Sequence, residues 1–138
     1  MTQEEKQMLF DDISRRLSCG VIVHHKKINV DYKVNGVLVN EKSDGEKELL
    51  IYVKTLDNGI QLPPTGPGDA LPYLRPMSSM TDEERKHFES KCCWGKWESG
   101  PIITLEVADW LNENHFDYRG LIERGLALEA TEGMYNTK

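Results

Sequence analysis

The chain has 138 residues, with 17 lysines and arginines against 23 aspartates and glutamates, a net charge of −6 and a calculated pI of about 5.2. This length suits one ordinary domain, and a hydrophobic content of 38% excludes collagen-like and disordered chains. Because no apolar run reaches the length of a membrane span and no signal-peptide pattern is present, we expect a soluble, cytoplasmic, single-domain protein with no membrane contact.

Residues 1–20 are predicted to form a helix. Thr2 and Glu5 have the spacing of a capping box at its start. From Leu9 onward, apolar residues recur at every fourth position, which predicts that one face of the helix packs against a core. Gly20 is suited to end the helix because glycine readily adopts a positive φ.

Residues 21–62 are predicted to form an antiparallel sheet, because apolar and polar side chains alternate there. The alternation over 28–34 is followed by Asn35 and Gly36, a pair typical of a tight hairpin turn. Further strands are expected at 49–53 and 60–62, which together indicate a meander or a small barrel. The residues that we expect on one face of the hairpin are Ile28, Val30, Tyr32 and Val34.

Residues 63–80, rich in proline and glycine, are predicted to form a loop and an extended segment. Residues 81–130 are predicted to be helical, beginning with a second capping box at Thr81 and Glu84. Residues 131–138 are predicted to form a loose tail. The predicted fold is therefore α+β, with an N-terminal helix, an antiparallel meander or small barrel, and short C-terminal helices. Those helices are expected at 82–90, 103–114 and 117–124.

The chain has three cysteines, Cys19, Cys92 and Cys93. An odd number of cysteines without a C-x-x-C motif argues against both a disulfide framework and a zinc site. We therefore predict reduced thiols, no metal and no cofactor. Whether Cys92, Cys93 and His87 form a site is left open.

No catalytic residue is predicted, since the chain has no Gly-x-Ser-x-Gly motif around a serine nucleophile. His115 and Asp117 have a spacing at which a carboxylate can orient an imidazole, although the same residues serve equally well in a loop and a helix cap. A small hydrolase or nuclease using this pair is the least favoured alternative.

The predicted partner-binding residues are Tyr73, Arg75, Tyr118 and Arg119. Tyrosine and arginine are enriched at interface hot spots, and a neighbouring constraint such as Pro76 lowers the entropy lost on binding. The alternative is that the two arginines pair with carboxylates and the two tyrosines complete the core.

A locally basic stretch suggests nucleic-acid binding as the alternative function. Such a patch can contact a phosphate backbone, but nucleic-acid-binding domains usually have a pI above about 9. We therefore expect any nucleic-acid binding to be weak. The opposite bias occurs in residues 101–138, which carry three basic and seven acidic side chains. The residues of the basic stretch are Arg15, Arg16, Lys26, Lys27 and Lys33.

Four segments have distinctive sequences: PYLRPMSSMT at 72–81, DWLN at 109–112, HFDYRGLIE at 115–123 and GMYN at 133–136. They resemble segments of small uncharacterised proteins encoded by phages and mobile elements of gut bacteria. The resemblance implies a bacterial or phage origin and no particular activity, cofactor or catalytic residue. We therefore predict a non-catalytic accessory protein that binds a protein partner in the cytoplasm of a bacterial host cell.

Overall fold

Helices and strands are mixed along the chain in the computed structural model, which describes residues 1–91, 93–94, 101–102 and 104–135. The α+β class predicted from the sequence is confirmed. The helices are α1 (Gln3–Arg15), α2 (Asp82–Lys91) and α3 (Leu105–Glu113). The strands are β1 (Ile22–His25), β2 (Val30–Glu41), β3 (Lys47–Thr55), β4 (Ala70–Pro76), β5 (Cys93–Trp94), β6 (Pro101–Ile102), β7 (Phe116–Asp117) and β8 (Leu128–Glu129).

Six of these strands form one mixed sheet. Its order is β3-β2-β1-β4-β7, and β8 also pairs with β4. β1, β2 and β3 form the predicted antiparallel meander, and β4 pairs antiparallel with β1. β7 and β8 run parallel to β4. The segment expected to be loop and extended chain therefore supplies a central strand, to which the C-terminal part of the chain adds two short strands.

Helix α1 packs on one face of this sheet. Its capping box is confirmed, since the Thr2 hydroxyl accepts from the Glu5 amide at 3.1 Å and the Glu5 carboxylate accepts from the Thr2 amide at 2.9 Å. Burial of apolar surface between helix and sheet forms the main core. A second, smaller cluster joins α2, α3 and β7. Its buried members are Phe88, Val107, Leu111 and Phe116.

The predicted hairpin turn at Asn35 and Gly36 is wrong. Both residues lie inside β2, where the pairing with β3 shifts by one residue and forms a bulge. A bulge needs a residue left out of the ladder, and Asn-Gly tolerates that irregular backbone as well as it tolerates a turn. The chain reverses instead at 26–29 and at 42–46.

The face predicted for the hairpin is only half correct. Tyr32 and Val34 are buried, whereas Ile28 and Val30 are 54% and 43% exposed. The reason is the position of the turn: Ile28 lies inside it, and Val30 is the first residue of the strand. The alternation of apolar and polar residues therefore begins at Ile28, before the part of β2 in which one face is buried.

The helix predicted at 117–124 is also wrong, because Asp117 ends β7 and the chain then turns at 121–125. Asp117 does act as a cap: its two carboxylate oxygens accept from the amides of Leu121 and Ile122, each at 2.9 Å. The amides are held in a turn, and no helix follows. In the part of the chain that the structure describes, no helix is both long enough and apolar enough to cross a bilayer.

Candidate functional site

A cleft of about 960 Å³ lies where β4 and β8 end. Its walls come from the last residues of these strands, the loop before α2, the carboxyl end of α3 and the segment after β8. The meander is not part of the cleft. The lining residues that define its chemistry are Arg75, Glu84, Glu113, His115, Glu129, Glu132 and Tyr135.

Arg75 is held against one wall of the cleft by Glu84. The guanidinium donates to both carboxylate oxygens, at 2.7 and 2.8 Å, and stacks over the Phe116 ring at 4.2 Å. The bonds from Arg75 hold the pKa of Glu84 down to about 2, and bonds from Thr81 contribute. Glu84 is therefore ionised at neutral pH, and the positive charge of Arg75 is already compensated.

The cleft is acidic. Among the residues that the structure describes, four glutamates line it, together with one guanidinium, that of Arg75. Within the described ranges, no lysine or arginine lies within 4 Å of the carboxylates of Glu113, Glu129 and Glu132. Like charges along one concave surface produce a negative potential that attracts cations.

His115 follows the carboxyl end of α3 with a φ of +62°, a position that usually favours glycine. Its carbonyl accepts from the Arg75 amide at 2.7 Å, which joins the residue to β4. Its ring stacks on Tyr135, with 3.5 Å between the ring centroids. Burial, followed by the positive charges of Arg16 and Arg75, lowers the pKa of His115 to about 4. The imidazole is therefore neutral at pH 7.

Tyr135 fastens the C-terminal segment to the sheet. Its hydroxyl accepts from the Ile22 amide at 2.8 Å and donates to the Tyr73 carbonyl at 2.7 Å. Burial raises the pKa of this phenol. The segment predicted as a loose tail is thus anchored at residue 135, and it forms one wall of the cleft.

The four predicted partner-binding residues all make contacts within the chain. Arg75 is the one that lines the cleft. The Tyr73 hydroxyl donates to Asp31 at 2.8 Å, and burial together with this bond raises its pKa to about 12. Arg119 donates to Asp12 at 3.0 Å and to the Tyr118 hydroxyl at 3.1 Å. The alternative expectation, in which both arginines pair with carboxylates, matches these contacts, and partner binding by the four residues stays a prediction.

One residue of the basic stretch cannot contact a phosphate backbone. Arg16 is fully buried, where it donates to Asp12 at 2.9 Å and to the Phe116 carbonyl at 2.7 Å. Its inclusion among the phosphate-contacting residues is therefore wrong: the sequence has the charge, but the guanidinium faces the interior.

The remaining basic residues lie on different elements. Arg15 ends α1, whereas Lys26 and Lys27 lie in the turn after β1. Lys27 lies 3.4 Å from the carboxylate of Asp69. Lys33 pairs with Ile22, at the end of β1 away from that turn. With Arg16 buried, Lys26 and Lys27 lie at one end of β1 and Lys33 at the other, and nucleic-acid binding by the exposed residues stays a prediction.

The other candidate sites receive little support. Among the residues whose placement is described, no group of three histidine, cysteine or acidic side chains lies close enough to hold a metal. The side chains of Cys92 and Cys93 fall outside these residues, so the question of a site with His87 does too. Asp117 accepts from two backbone amides, and among the described residues His115 Nδ1 has no hydrogen-bond partner, so the predicted His115–Asp117 pair is not formed.

Sequence reasoning missed the acidic residues of the cleft. Glu113, Glu129 and Glu132 are separated by up to 19 positions, and only folding brings them together. The available signal was the acidic bias of residues 101–138, which does not indicate which side chains converge.

Comparisons of the chain with models of protein families, with curated proteins and with solved structures find no match. The function is therefore argued from the chemistry of the cleft.

Proposed function

We propose that the protein is a non-catalytic accessory protein that binds a protein partner, and that the cleft receives a positively charged segment of that partner. The observation that carries this proposal is the set of three glutamates, Glu113, Glu129 and Glu132, around a cleft whose one guanidinium is already paired. The resemblance to small phage and mobile-element proteins supports placing this role inside a bacterial host cell.

A lysine or arginine side chain suits these carboxylates because charge-assisted hydrogen bonds are stronger than neutral ones. The cleft volume of about 960 Å³ is at the upper end of the range for small-molecule pockets, which leaves room for several side chains of an extended peptide. His115 does not oppose a cationic ligand, because its low pKa keeps the ring neutral.

A fluorescent peptide of alternating lysine and glycine residues tests the proposal by anisotropy at low ionic strength. We expect saturable binding that weakens as salt is added, because salt screens exposed charges. In the triple variant Glu113→Gln, Glu129→Gln and Glu132→Gln, we expect affinity to fall at least about tenfold, which corresponds to roughly 1.4 kcal/mol.

Glu123→Gln provides the matched control, since this glutamate is exposed and lies outside the cleft. It makes the same chemical change and should leave binding within about twofold, as is usual for an isolated surface charge. Equal binding by the triple variant and the parent, or no binding by the parent, would show that the cleft is not the site of a basic segment.

A further inference from the structure

The β2–β3 pair continues past the rest of the sheet. β1 pairs with β2 only at 30–33, whereas β2 and β3 remain paired from residue 36 against residue 52 to residue 41 against residue 47. We call this two-stranded extension, residues 36–41 and 47–52, the ribbon. One face of the ribbon is covered by the main core, where Leu49 and Ile51 are buried, and Ile51 also bridges to Thr65 on the other edge of β3.

Both faces of the ribbon are apolar. The pairing places Val37 with Ile51 on one face, and Ile51 is fully buried in the main core. It places Leu38 with Leu50, and Gly36 with Tyr52, on the opposite face, which we call the outer face. Leu38 is 45% exposed there. Strands with apolar side chains in both directions are typical of sheets covered on both sides.

Charges of opposite sign lie at the two ends of the outer face. At the base, Lys33 lies directly opposite Lys54, although like charges facing each other across a ladder destabilise a sheet. At the far end, Glu48 lies opposite Asn40 on the same face. The adjoining tip, residues 41–48, holds four acidic residues and two lysines.

We propose that the outer face binds a second copy of this chain, with the two ribbons packed face to face about a two-fold axis. Lys54 and Glu48 lie three residues on either side of Ile51, about 10 Å away along the strand. A two-fold axis at the level of Ile51 therefore brings Lys54 of each copy to Glu48 of the other, while Leu50 meets Tyr52.

The charge pattern favours a second copy over another partner. A two-fold axis exchanges the two ends of the outer face, so each basic end meets an acidic end, as a self-complementary interface requires. A partner of uniform charge would be attracted at one end and repelled at the other. The arrangement also gives Lys54 a carboxylate partner in the other copy, Glu48, while Lys33 faces the neutral Asn40.

The dimer should be weak. The ribbon measures roughly 10 by 20 Å from its strand spacing and rise, and stable interfaces bury about 800 Å² on each partner. Because this face is only about a quarter of that area, we expect weak association, with a dissociation constant on the order of 100 μM. None of the residues of the ribbon lines the cleft, so this proposal is independent of peptide binding there.

Sedimentation velocity over a concentration range of about 5 to 500 μM tests the proposal, since this range brackets a dissociation constant of that order. The parent should convert from monomer to dimer. Lys54→Glu and Glu48→Lys, each alone, should weaken dimerisation at least about tenfold because they place like charges together. The double variant Lys54→Glu with Glu48→Lys should recover most of the parent affinity, since the two charges are exchanged.

Thermal unfolding separates loss of the dimer from loss of the fold. Lys54→Glu replaces a like-charge pair across the ladder with an opposite-charge pair, so the melting temperature of the monomer should stay constant or rise. Leu38→Lys should also give a folded monomer. Ile60→Lys is its control, because Ile60 is 55% exposed and lies outside the ribbon, and it should dimerise like the parent. A parent that stays monomeric, single variants that match the parent, or a double variant as weak as the single ones would each overturn the proposal.

Discussion

Two arginine–carboxylate clusters lie near His115 and differ mainly in the exposure of their carboxylates. In the first, Asp12 accepts from both Arg16 and Arg119 beneath α1, and the Asp12 and Arg16 side chains are 0% exposed. In the second, Glu84 holds Arg75 in the cleft wall, with the side chains 20% and 27% exposed. The chemistry of the two clusters is the same, but in the first the Asp12–Arg16 pair is closed to solvent and the side chain of Arg119 is 17% exposed.

This difference assigns different roles to similar residues. A charge buried in a low-dielectric interior depends entirely on its partner, so the Asp12 cluster is tied to the fold. A charge in a cleft wall is partly solvated, so the Glu84 cluster is free to set the electrostatics of the site. The sequence does not distinguish Arg75, which precedes Pro76, from Arg119, which follows Tyr118. The two arginines differ in the burial of the carboxylates that they bind, since Asp12 is fully buried and Glu84 is partly exposed.

The largest effect is expected from Asp12→Ala. This change leaves the fully buried guanidinium of Arg16 without its carboxylate, and breaking a buried ion pair typically costs about 3–5 kcal/mol. We expect a loss of that order in the free energy of unfolding, measured by urea denaturation at pH 7.

Asp11→Ala serves as the control, because Asp11 is the exposed neighbour on the same helix and its carboxylate accepts from Gln7 on the helix surface. Its cost should stay below about 0.5 kcal/mol, as for most surface substitutions. Equal losses from the two variants would mean that the Asp12 cluster contributes no more than a surface contact.

The next largest effect concerns His115, whose pKa is lowered in part by an arginine of each cluster, Arg16 and Arg75. Its folded pKa of about 4 is below its ordinary value of 6.5, so the unfolded chain takes up a proton before the folded one does. Stability supplied by the neutral ring is therefore complete above about pH 6.5 and is lost as the pH falls towards 4. The full difference corresponds to up to about 3 kcal/mol.

His115→Asn removes the titrating ring and keeps a residue type that tolerates a positive φ. We expect the difference in unfolding free energy between parent and variant to be constant above pH 7 and to change between pH 6.5 and 4, in the direction that favours the variant at low pH. A difference that does not vary over this range would place the pKa of His115 near that of an exposed histidine.

Much of the fold could be predicted because its signals are local. The two capping boxes, at Thr2 with Glu5 and at Thr81 with Glu84, are both formed, since such bonds join residues three positions apart. The prediction of a turn at Asn35 and Gly36 was wrong, although it also rests on a local sequence pattern. The same dipeptide fits a bulge, and the choice between turn and bulge depends on pairing with β3, which is not local.

The site was less predictable because it depends on long-range contacts. Glu84 was predicted only as a capping residue, and the same carboxylate also holds Arg75 from a neighbouring strand. Tyr135 was placed in a loose tail, yet it bonds to Ile22 across 113 positions of sequence. Sequence patterns identify residues able to make such contacts, and the topology of the sheet decides which of them meet.

The smallest effect should come from Glu84→Gln in the exposed cluster. Glutamine can still serve in the capping box with Thr81, so the change removes mainly the charge that Arg75 faces. The lowered pKa of Glu84 sets an upper bound of about 3 kcal/mol; because the pair is partly solvated and glutamine keeps the cap, we expect a loss of roughly 1–2 kcal/mol in unfolding free energy at pH 7, below that of Asp12→Ala. Glu83→Gln, an exposed neighbour in the same turn, should cost less.

The pH dependence of this loss distinguishes the ion pair from simple packing. The pKa of Glu84 is lowered to about 2 from its ordinary value of 4.5, so its stabilising effect is complete above about pH 4.5 and is lost as the pH falls towards 2. The gap between parent and Glu84→Gln should therefore close over that interval. The variant should also bind the lysine peptide more weakly, because the released charge of Arg75 opposes a cationic ligand in the cleft. A gap that persists at pH 2 would assign the loss to packing, and unchanged peptide affinity would remove Arg75 from the electrostatics of the cleft.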